Sequence, residues 1–228
     1  MSAAPPRLDG ERVAVIVEHK FIPEEIELYR TEFAALGAEV EFVSQIYWGD
    51  YRPGHPHWKT PVFYGDVDPI DGDPLADPVP LEVHRDVSEV DLSGYAALVM
   101  SANYTSVRLR WAGDPLDEQA YPEPFHPRAY LRRAPLVRLF ADAMADPRIV
   151  KGALCHGLWI LTPNAELLEG RRVICHAVVM ADVVNCGAAI VRTPDRVVVD
   201  GDLVTGYSKQ ETKDFIHAIA AQVVARRG

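Results

Sequence analysis

The decisive stretch of this sequence is IVKGALCHGLW, at residues 149–159. Its first half is an apolar run of the kind that forms a buried strand, and its small residues let a strand and the following helix approach closely. Cys155 stands at the bend between them. A residue in such a strained turn projects its side chain above the sheet, in front of the helix N-terminus. The stretch therefore predicts a nucleophile elbow with Cys155 as a candidate catalytic thiol.

The other two cysteines lack this setting. Cys175 and Cys186 each lie in an apolar run without a glycine-flanked bend, and a free cysteine is usually a small buried apolar residue. A purely structural role as a small buried residue is the alternative for Cys155, but its neighbours His156 and Gly157 favour a reactive thiol. Because a helix N-terminus favours the thiolate, we expect the pKa of Cys155 to lie below the value of about 8.5 for free cysteine.

Composition and charge argue against several kinds of protein. The chain has 228 residues, 48% of them hydrophobic, which predicts one domain over residues 1–228. A formal net charge of −10 argues against a nucleic-acid partner, because phosphate binding needs a basic surface. The spacing of the three cysteines suggests neither a disulfide framework nor a CxxC metal site. Without a membrane-spanning apolar run or a recognisable signal peptide, the protein is expected to be soluble and cytoplasmic.

Apolar patterning alternates between strands and helices along most of the chain. A strand at 13–17, a helix at 24–36 and a strand at 39–44 predict a βαβ unit. The other predicted strands are 95–101, 149–154, 172–175, 188–192, 197–199 and 203–205, and the other predicted helices are 128–145, a segment from 157, 180–185 and 210–224. This order predicts a flavodoxin-like, doubly wound, mostly parallel α/β sheet, with ligands at the carboxyl ends of its strands.

Residues 45–90 interrupt this pattern. They contain six large aromatic side chains and many prolines, so the segment is too apolar for a free linker and too long for an ordinary connection. We expect a β-hairpin excursion that covers the active site, with Trp48 or Trp58 near it, or packs on a neighbouring subunit. His55 and His57 have the spacing of metal ligands, but no third ligand is evident, so no metal is predicted.

Three strings in this chain resemble the PfpI and ThiJ superfamily, which includes the parkinsonism-associated deglycase and is related to the class I glutamine amidotransferases. They are AALVMSANYTSVRLR at 96–110, GALCHGLWILTPNAELLEGRRV at 152–173, and VVNCGAAIV with VVVDGDLVTGYSKQETKDFIHAI between 183 and 219. The resemblance covers nearly the whole chain outside residues 45–90. It implies a cysteine-dependent enzyme without a cofactor, and a homodimer or larger homo-oligomer.

The resemblance also implies which residues form the site. It makes Cys155 the nucleophile and His156 the neighbouring histidine. In this family a glutamate after the first strand hydrogen-bonds the sulfur, and the string FIPEEIE at 21–27 makes Glu24 the candidate, with Glu25 open as the alternative. Complementing the helix dipole is a sufficient explanation for any one of these glutamates.

Two stretches depart from the family pattern. The family has a Gly-Gly pair after its third strand, whose N–H groups help to form the oxyanion pocket, whereas this chain has Ala102 and Asn103. A side chain there narrows the pocket, and the Asn103 amide is a candidate donor. Gly157 and His176 are further candidates for the pocket, with a packed surface histidine as the alternative for His176. The string GYSK at 206–209 replaces the family's Ser-Arg-Asn-Pro, so the substrate preference of relatives is not transferred.

These residues favour a thiol-dependent enzyme that acts on a small electrophilic molecule. By resemblance, the substrate is a 2-oxoaldehyde, a glycated adduct or an isonitrile. The Cys155 thiolate adds to the electrophilic carbon, and Glu24 moves the proton. The Asn103 amide and the His156 N–H hold the oxyanion. The alternatives are a non-catalytic redox sensor or chaperone that works through oxidation of Cys155, and an amide or peptide hydrolase.

Overall fold

The structure is a computed structural model that describes residues 6–46, 61–66, 73, 76–110 and 124–227. Its strands are β1 (Arg12–Ile16), β2 (Glu39–Ser44), β3 (Val62–Tyr64), β4 (Pro80–Glu82), β5 (Arg85–Asp86), β6 (Ala97–Met100), β7 (Val150–Leu154), β8 (Arg172–Val173), β9 (Ala189–Ile190), β10 (Val197–Asp200) and β11 (Leu203–Gly206). Its helices are α1 (Pro23–Ala35), α2 (Thr105–Leu109), α3 (Pro127–Leu131), α4 (Pro135–Ala145), α5 (Ala177–Asn185) and α6 (Thr212–Ala225), with 3₁₀ segments at Val87–Glu89, Leu92–Gly94, Cys155–Leu167 and Lys209–Glu211.

Seven strands form the central sheet, in the order β10-β11-β7-β6-β1-β2-β5. Neighbouring strands are parallel throughout, except that β10 pairs antiparallel with β11. β3 pairs with β4, and β8 pairs with β9, in two small separate sheets. This arrangement confirms the predicted flavodoxin-like, mostly parallel α/β sheet.

Helices cover both faces of the central sheet. α1 and α6 bury Tyr29, Phe33 and Phe215 against one face, while α4 and α5 bury Phe140 and Val183 against the other. Parallel strands covered on both faces consist of continuous apolar runs, which explains the apolar sequences of β1 and β6. Ligands can then approach the sheet only at the strand ends. No helix in the described part of the chain is long and apolar enough to cross a bilayer.

Two predicted helices differ from the structure for a physical reason. The helix predicted at 128–145 is the pair α3 and α4, because Pro135 has no N–H to continue a helix and instead begins a new one. The segment after β7 is a tight 3₁₀ segment that contains Pro163 and is kinked at Asn164, where φ is −115° and ψ is 70°. It therefore aligns fewer peptide dipoles behind Cys155 than a regular α-helix does.

The predicted excursion at 45–90 lies only partly within the described residues. Trp48, Trp58, His55 and His57 fall outside them, so the expectations for these side chains stay predictions. Within the described part, β3 and β4 form an antiparallel pair, and Phe63 on β3 is buried in the core beside α1.

The strand that carries Cys155 also contains a buried cation. Lys151 on β7 is fully buried, and its ammonium group donates to the carboxylate of Asp202 and, at 3.0 Å, to the backbone carbonyl of Asp146. Arg171 binds the other carboxylate oxygen of Asp202 at 3.0 Å. Since a buried charge is stable only when it is paired, this cluster fixes β7 against β11.

We expect Lys151→Met to lower the free energy of unfolding by about 2 kcal/mol, because Arg171 is then the one ionic partner left to Asp202 among the residues that the structure describes. The matched control is Lys213→Met, which removes the exposed ion pair with Glu32 and is expected to cost less than about 1 kcal/mol. Urea denaturation of both variants measures the difference. Equal losses in the two variants would show that the buried cluster adds nothing beyond a surface pair.

Candidate active site

Three neighbouring strands lead into residues with a left-handed backbone. Lys20 follows β1, Asn103 follows β6 and Cys155 follows β7, with φ values of 68°, 61° and 57°. Residues other than glycine adopt this conformation rarely, and such strain is concentrated at functional sites. Because β7, β6 and β1 are adjacent and parallel, the three turns lie along the same edge of the sheet. The elbow predicted at Cys155 is present, with two further strained turns beside it.

Gly157 lets the turn after β7 lie against β6. A Cβ atom at this position would lie 3.0 Å from the carbonyl oxygen of Met100 and 3.3 Å from its Cγ. A backbone oxygen cannot move aside as a side-chain end can, so any larger residue would push Cys155 away from β6. Close packing against β6 therefore explains why position 157 is a glycine. A place for Gly157 in the substrate pocket stays a prediction.

Cys155 is buried, with 8% of its surface exposed. Burial raises the pKa of its thiol to about 12 and the charge of Glu25 adds to the rise, while the backbone N–H groups of Asn103 and His156 oppose it. The prediction of a pKa below that of free cysteine is therefore wrong. It included the favourable N–H groups but neither the desolvation of the sulfur nor the nearby carboxylate.

Glu25 is the carboxyl group that the fold brings to Cys155. It is 1% exposed, and its two oxygens lie 2.8 and 3.1 Å from the backbone nitrogen of Ala102, which donates to them. Burial raises its pKa to about 7. Glu24, the first choice from the sequence, is exposed, because adjacent residues on a helix point about 100° apart. Our candidate for the site carboxyl is therefore Glu25.

Tyr29 is a neighbour of this carboxyl that the sequence analysis missed. It is fully buried one helical turn after Glu25, and burial raises its pKa well above the usual value, with the charge of Glu25 adding to the rise. Its hydroxyl has no hydrogen-bond partner of good geometry among the residues that the structure describes. The spacing of four residues places the two side chains on one helix face, a signal that was available in the sequence.

The two residues in place of the family's glycine pair both have structural partners. The N–H of Ala102 donates to Glu25, so this donor is already used. The Asn103 side-chain amide donates to the carbonyl of Lys20 at 2.7 Å and thus ties the turn after β6 to the turn after β1. The Asn103 donor that faces the sulfur of Cys155 is instead its backbone N–H.

His156 and His176 form a close pair beside Cys155. Nε2 of His156 lies 3.2 Å from Nδ1 of His176, and the latter atom also accepts from the N–H of Val178 at 3.3 Å as the N-cap of α5. Since Nδ1 of His176 is the acceptor, the shared proton lies on Nε2 of His156. Burial lowers the pKa of His156 to about 4, with a further contribution from His176, so its ring is neutral at pH 7. The sequence had not identified this partner of His156.

The same three residues could hold a metal ion. One ligand atom each from Cys155, His156 and His176 lies within 4.8 Å of the other two. Aromatic rings enclose the pair of histidines, with Tyr104 and Trp159 centred 5.0 and 5.3 Å from the ring of His156.

We expect Glu25→Gln to stabilise the fold at alkaline pH. A buried acid whose pKa is raised from 4.5 to about 7 contributes stability below pH 4.5 that is lost as the pH rises through 7. Glutamine does not ionise, so at about pH 8 the variant should exceed the wild type by about 3 kcal/mol in free energy of unfolding, and near pH 4 by almost nothing. Urea denaturation at both values measures this. Glu24→Gln, at an exposed position, is the control, and a similar gain in that variant would contradict the assignment.

Comparisons with known proteins agree with this fold. The model of the DJ-1/PfpI family matches residues 126–222. A ThiJ/PfpI domain protein from Brachyspira murdochii has a TM-score of 0.66 at 18% identity, with 95% of this chain and 98% of that chain covered. DJ-1beta from Drosophila melanogaster has a TM-score of 0.67 at 12% identity, with coverage of 94% and 90%.

A two-domain protein from Anabaena variabilis, with DJ-1/ThiJ/PfpI-like and ferritin-like domains, has a TM-score of 0.68 at 19% identity. The match covers 94% of this chain but 48% of that protein, so the chain spans about half of its length. None of the curated proteins compared with this sequence matches it. The resemblance to the PfpI and ThiJ superfamily is confirmed, since residues 126–222 match the DJ-1/PfpI family and the surrounding fold is that of ThiJ/PfpI and DJ-1 proteins.

Proposed function

We propose that this chain is a thiol-dependent enzyme that needs no cofactor and acts on a small electrophilic substrate through Cys155. The observation that carries the proposal is the pairing of the strained Cys155, at φ 57°, with the buried carboxyl of Glu25, whose pKa is about 7. Nucleophilic catalysis by a thiol needs a group that takes its proton near the working pH. Glu25 is such a group, and it interacts electrostatically with the sulfur.

The pairing makes thiolate formation feasible in a buried site. Burial, together with the charge of Glu25, raises the pKa of the Cys155 thiol to about 12, which opposes loss of the thiol proton to the solvent. Transfer of the thiol proton to Glu25 instead leaves the pair with one negative charge before and after the step, so no second charge is buried. The backbone N–H groups of Asn103 and His156 then stabilise the thiolate. Glu25 is thus the proposed general base.

The thiolate adds to the electrophilic carbon of the substrate. With a 2-oxoaldehyde the product is a hemithioacetal oxyanion, for which the backbone N–H groups of Asn103 and His156 are the nearest candidate donors. Protonated Glu25 returns its proton to the adduct, and Glu25 then moves a proton from one substrate carbon to the other, giving a thioester. Water releases the hydroxy acid and regenerates the thiol. With an isonitrile, addition and hydration give a formamide by the same thiol.

The surroundings of Cys155 support a small substrate over a peptide. Cys155 is only 8% exposed, and the rings of Tyr104 and Trp159 pack beside the neighbouring His156. A peptide hydrolase of the triad type needs a histidine oriented by a carboxylate. Here Nε2 of His156 contacts His176, and within the described residues its Nδ1 has no hydrogen-bond partner. A redox role for Cys155 shares the same thiol and is an alternative outcome of the test.

The test is a panel of substrates given to the full chain treated with a chelator. The panel contains methylglyoxal, a glycated amino acid, an alkyl isonitrile and an unstructured peptide, and products are followed by mass spectrometry. Catalytic turnover of one small electrophile is expected. Hydrolysis of the peptide alone, or reversible oxidation of Cys155 by hydrogen peroxide without turnover of any compound, would contradict the proposal.

A further inference from the structure

We infer that Cys155, His156 and His176 form a binding site for a divalent transition metal such as Zn²⁺, which holds the thiol in an unreactive form. One ligand atom from each lies within 4.8 Å of the others, and the two nitrogens are 3.2 Å apart. In a tetrahedral zinc site with bonds of about 2.0 to 2.3 Å, neighbouring ligand atoms are about 3.3 to 3.6 Å apart. The separation of the two nitrogens is close to this range, and the sulfur, which lies within 4.8 Å of both, completes three ligands by moving towards them.

The contact between the two rings is the starting point of the site. Metal ions bind the unprotonated nitrogen of an imidazole ring. In the metal-free protein one proton lies between Nε2 of His156 and Nδ1 of His176. The metal displaces this proton, which moves to Nδ1 of His156, an atom without a hydrogen-bond partner among the described residues. The ion binds to one side of the line between the two nitrogens, because on a line of 3.2 Å it would lie only about 1.6 Å from each of them. Nδ1 of His176 has one lone pair, which now accepts from the N–H of Val178, so metal binding takes over this lone pair and the N-cap hydrogen bond of α5 is given up.

The charges balance in this reaction. Zn²⁺ binds the sulfur of Cys155 as the thiol proton leaves to the solvent, so one proton is released for each metal bound. The ion offsets the negative charges of the thiolate and of the buried Glu25, which disfavour each other without it. Three protein ligands leave the fourth position to water or a small anion. One sulfur and two imidazoles favour Zn²⁺, Co²⁺ or Cu²⁺ over the oxygen-binding ions Mg²⁺ and Ca²⁺.

Binding of the metal has a consequence for reactivity. A sulfur lone pair donated to a metal is not available to an electrophile. The bound metal therefore inhibits the reaction of Cys155, and its removal restores the free thiol. We therefore expect Zn²⁺ to stop turnover by the enzyme. This expectation rests on the proposed function, whereas the metal-binding site does not.

The experiment is a titration of the chelator-treated full chain with Co²⁺, whose thiolate complexes absorb in the near ultraviolet and whose tetrahedral complexes absorb in the visible. Both bands are expected at one equivalent of Co²⁺. They should be absent from Cys155→Ser, and His176→Asn should weaken binding by about 100-fold or more, since even second-shell partners are worth 10- to 100-fold. Asparagine is a good N-cap, so this variant retains the start of α5.

Control variants and a second readout separate the possible results. Cys186→Ser and His84→Ala, at a partly buried thiol and an exposed histidine, should bind Co²⁺ as the wild type does. Zn²⁺, but not Mg²⁺, should slow alkylation of Cys155 by iodoacetamide by about tenfold or more. Absence of the bands with excess Co²⁺, or equal bands in His176→Asn, would overturn the site. If the bands appear but the metal-free protein turns over no small electrophile, the site stands and the proposed function fails.

Discussion

Cys155→Ser is expected to lower turnover of the substrate by about 1,000-fold or more and to leave the fold intact. A serine hydroxyl is a far weaker nucleophile than a thiolate, and Glu25, with a pKa of about 7, is too weak a base to ionise it. Serine is similar in size to cysteine and places no Cβ branch in the strained turn at φ 57°. Steady-state kinetics on the compound that the wild type turns over best, with circular dichroism of both proteins, measures the effect.

Cys186→Ser is the matched control for this substitution. Cys186 is partly buried at the end of α5 and lies outside the cluster of Cys155, His156 and His176. Its replacement should leave turnover within about twofold of the wild type, as surface changes away from a site do. Retained activity in Cys155→Ser would remove the thiol from the mechanism, whatever the state of the fold.

Glu25→Gln is expected to lower turnover by about 100- to 1,000-fold, the usual effect of losing a positioned general base. Glutamine has nearly the same shape, and its amide oxygen can accept the hydrogen bond that Ala102 now donates to the carboxylate. The loss therefore reports the missing proton acceptor rather than a collapsed turn. Glu24→Gln, the same change one position earlier at an exposed residue, should remain within about twofold of the wild type.

The pH profile distinguishes a catalytic from a structural role of Glu25. In the wild type, kcat/KM should rise as Glu25 loses its proton, with a midpoint near pH 7. The residual activity of Glu25→Gln should lack this rise. A variant that is slow but keeps the wild-type profile would assign the titration to another group, and full activity in both glutamate variants would exclude an early carboxylate from the reaction.

Apolar patterning was sufficient to predict the fold. The runs at β1, β6 and β7 are apolar because both faces of the sheet are covered, and this property is visible without coordinates. The bounds of β2 agree with the prediction to the residue. The sequence also indicates that the helix predicted at 128–145 is divided, because Pro135 begins α4. The apolar spacing continues on both sides of Pro135, and for this reason a single helix was predicted.

The site was predicted less completely, because its chemistry depends on distances across the fold. Glu24 and Glu25 differ by one residue, and only the phase of α1 decides which of them is buried. Sequence reasoning could have used the buried Tyr29, four residues after Glu25, to fix that phase. The contact between His156 and His176 joins residues 20 positions apart, and no local pattern indicates it.

The prediction of a low pKa for the Cys155 thiol was wrong for a related reason. The helix N-terminus behind Cys155 is a local feature of the sequence, whereas burial of the sulfur and the charge of Glu25 arise from packing between distant segments. These two effects exceed the stabilisation by the N–H groups of Asn103 and His156. A buried nucleophile of this kind has to be activated by proton transfer within the site rather than by a low intrinsic pKa.

The central claim is that the Cys155 sulfur forms a covalent bond to the substrate, and mass spectrometry of protein quenched during turnover tests it most directly. The chelator-treated wild type is mixed with the substrate, quenched in acid after milliseconds to seconds, and digested for peptide mapping. We predict a substrate adduct on the peptide that contains Cys155, present during turnover and absent after the substrate is consumed. Turnover with no adduct on Cys155, or an adduct confined to Cys175 or Cys186, would contradict the account.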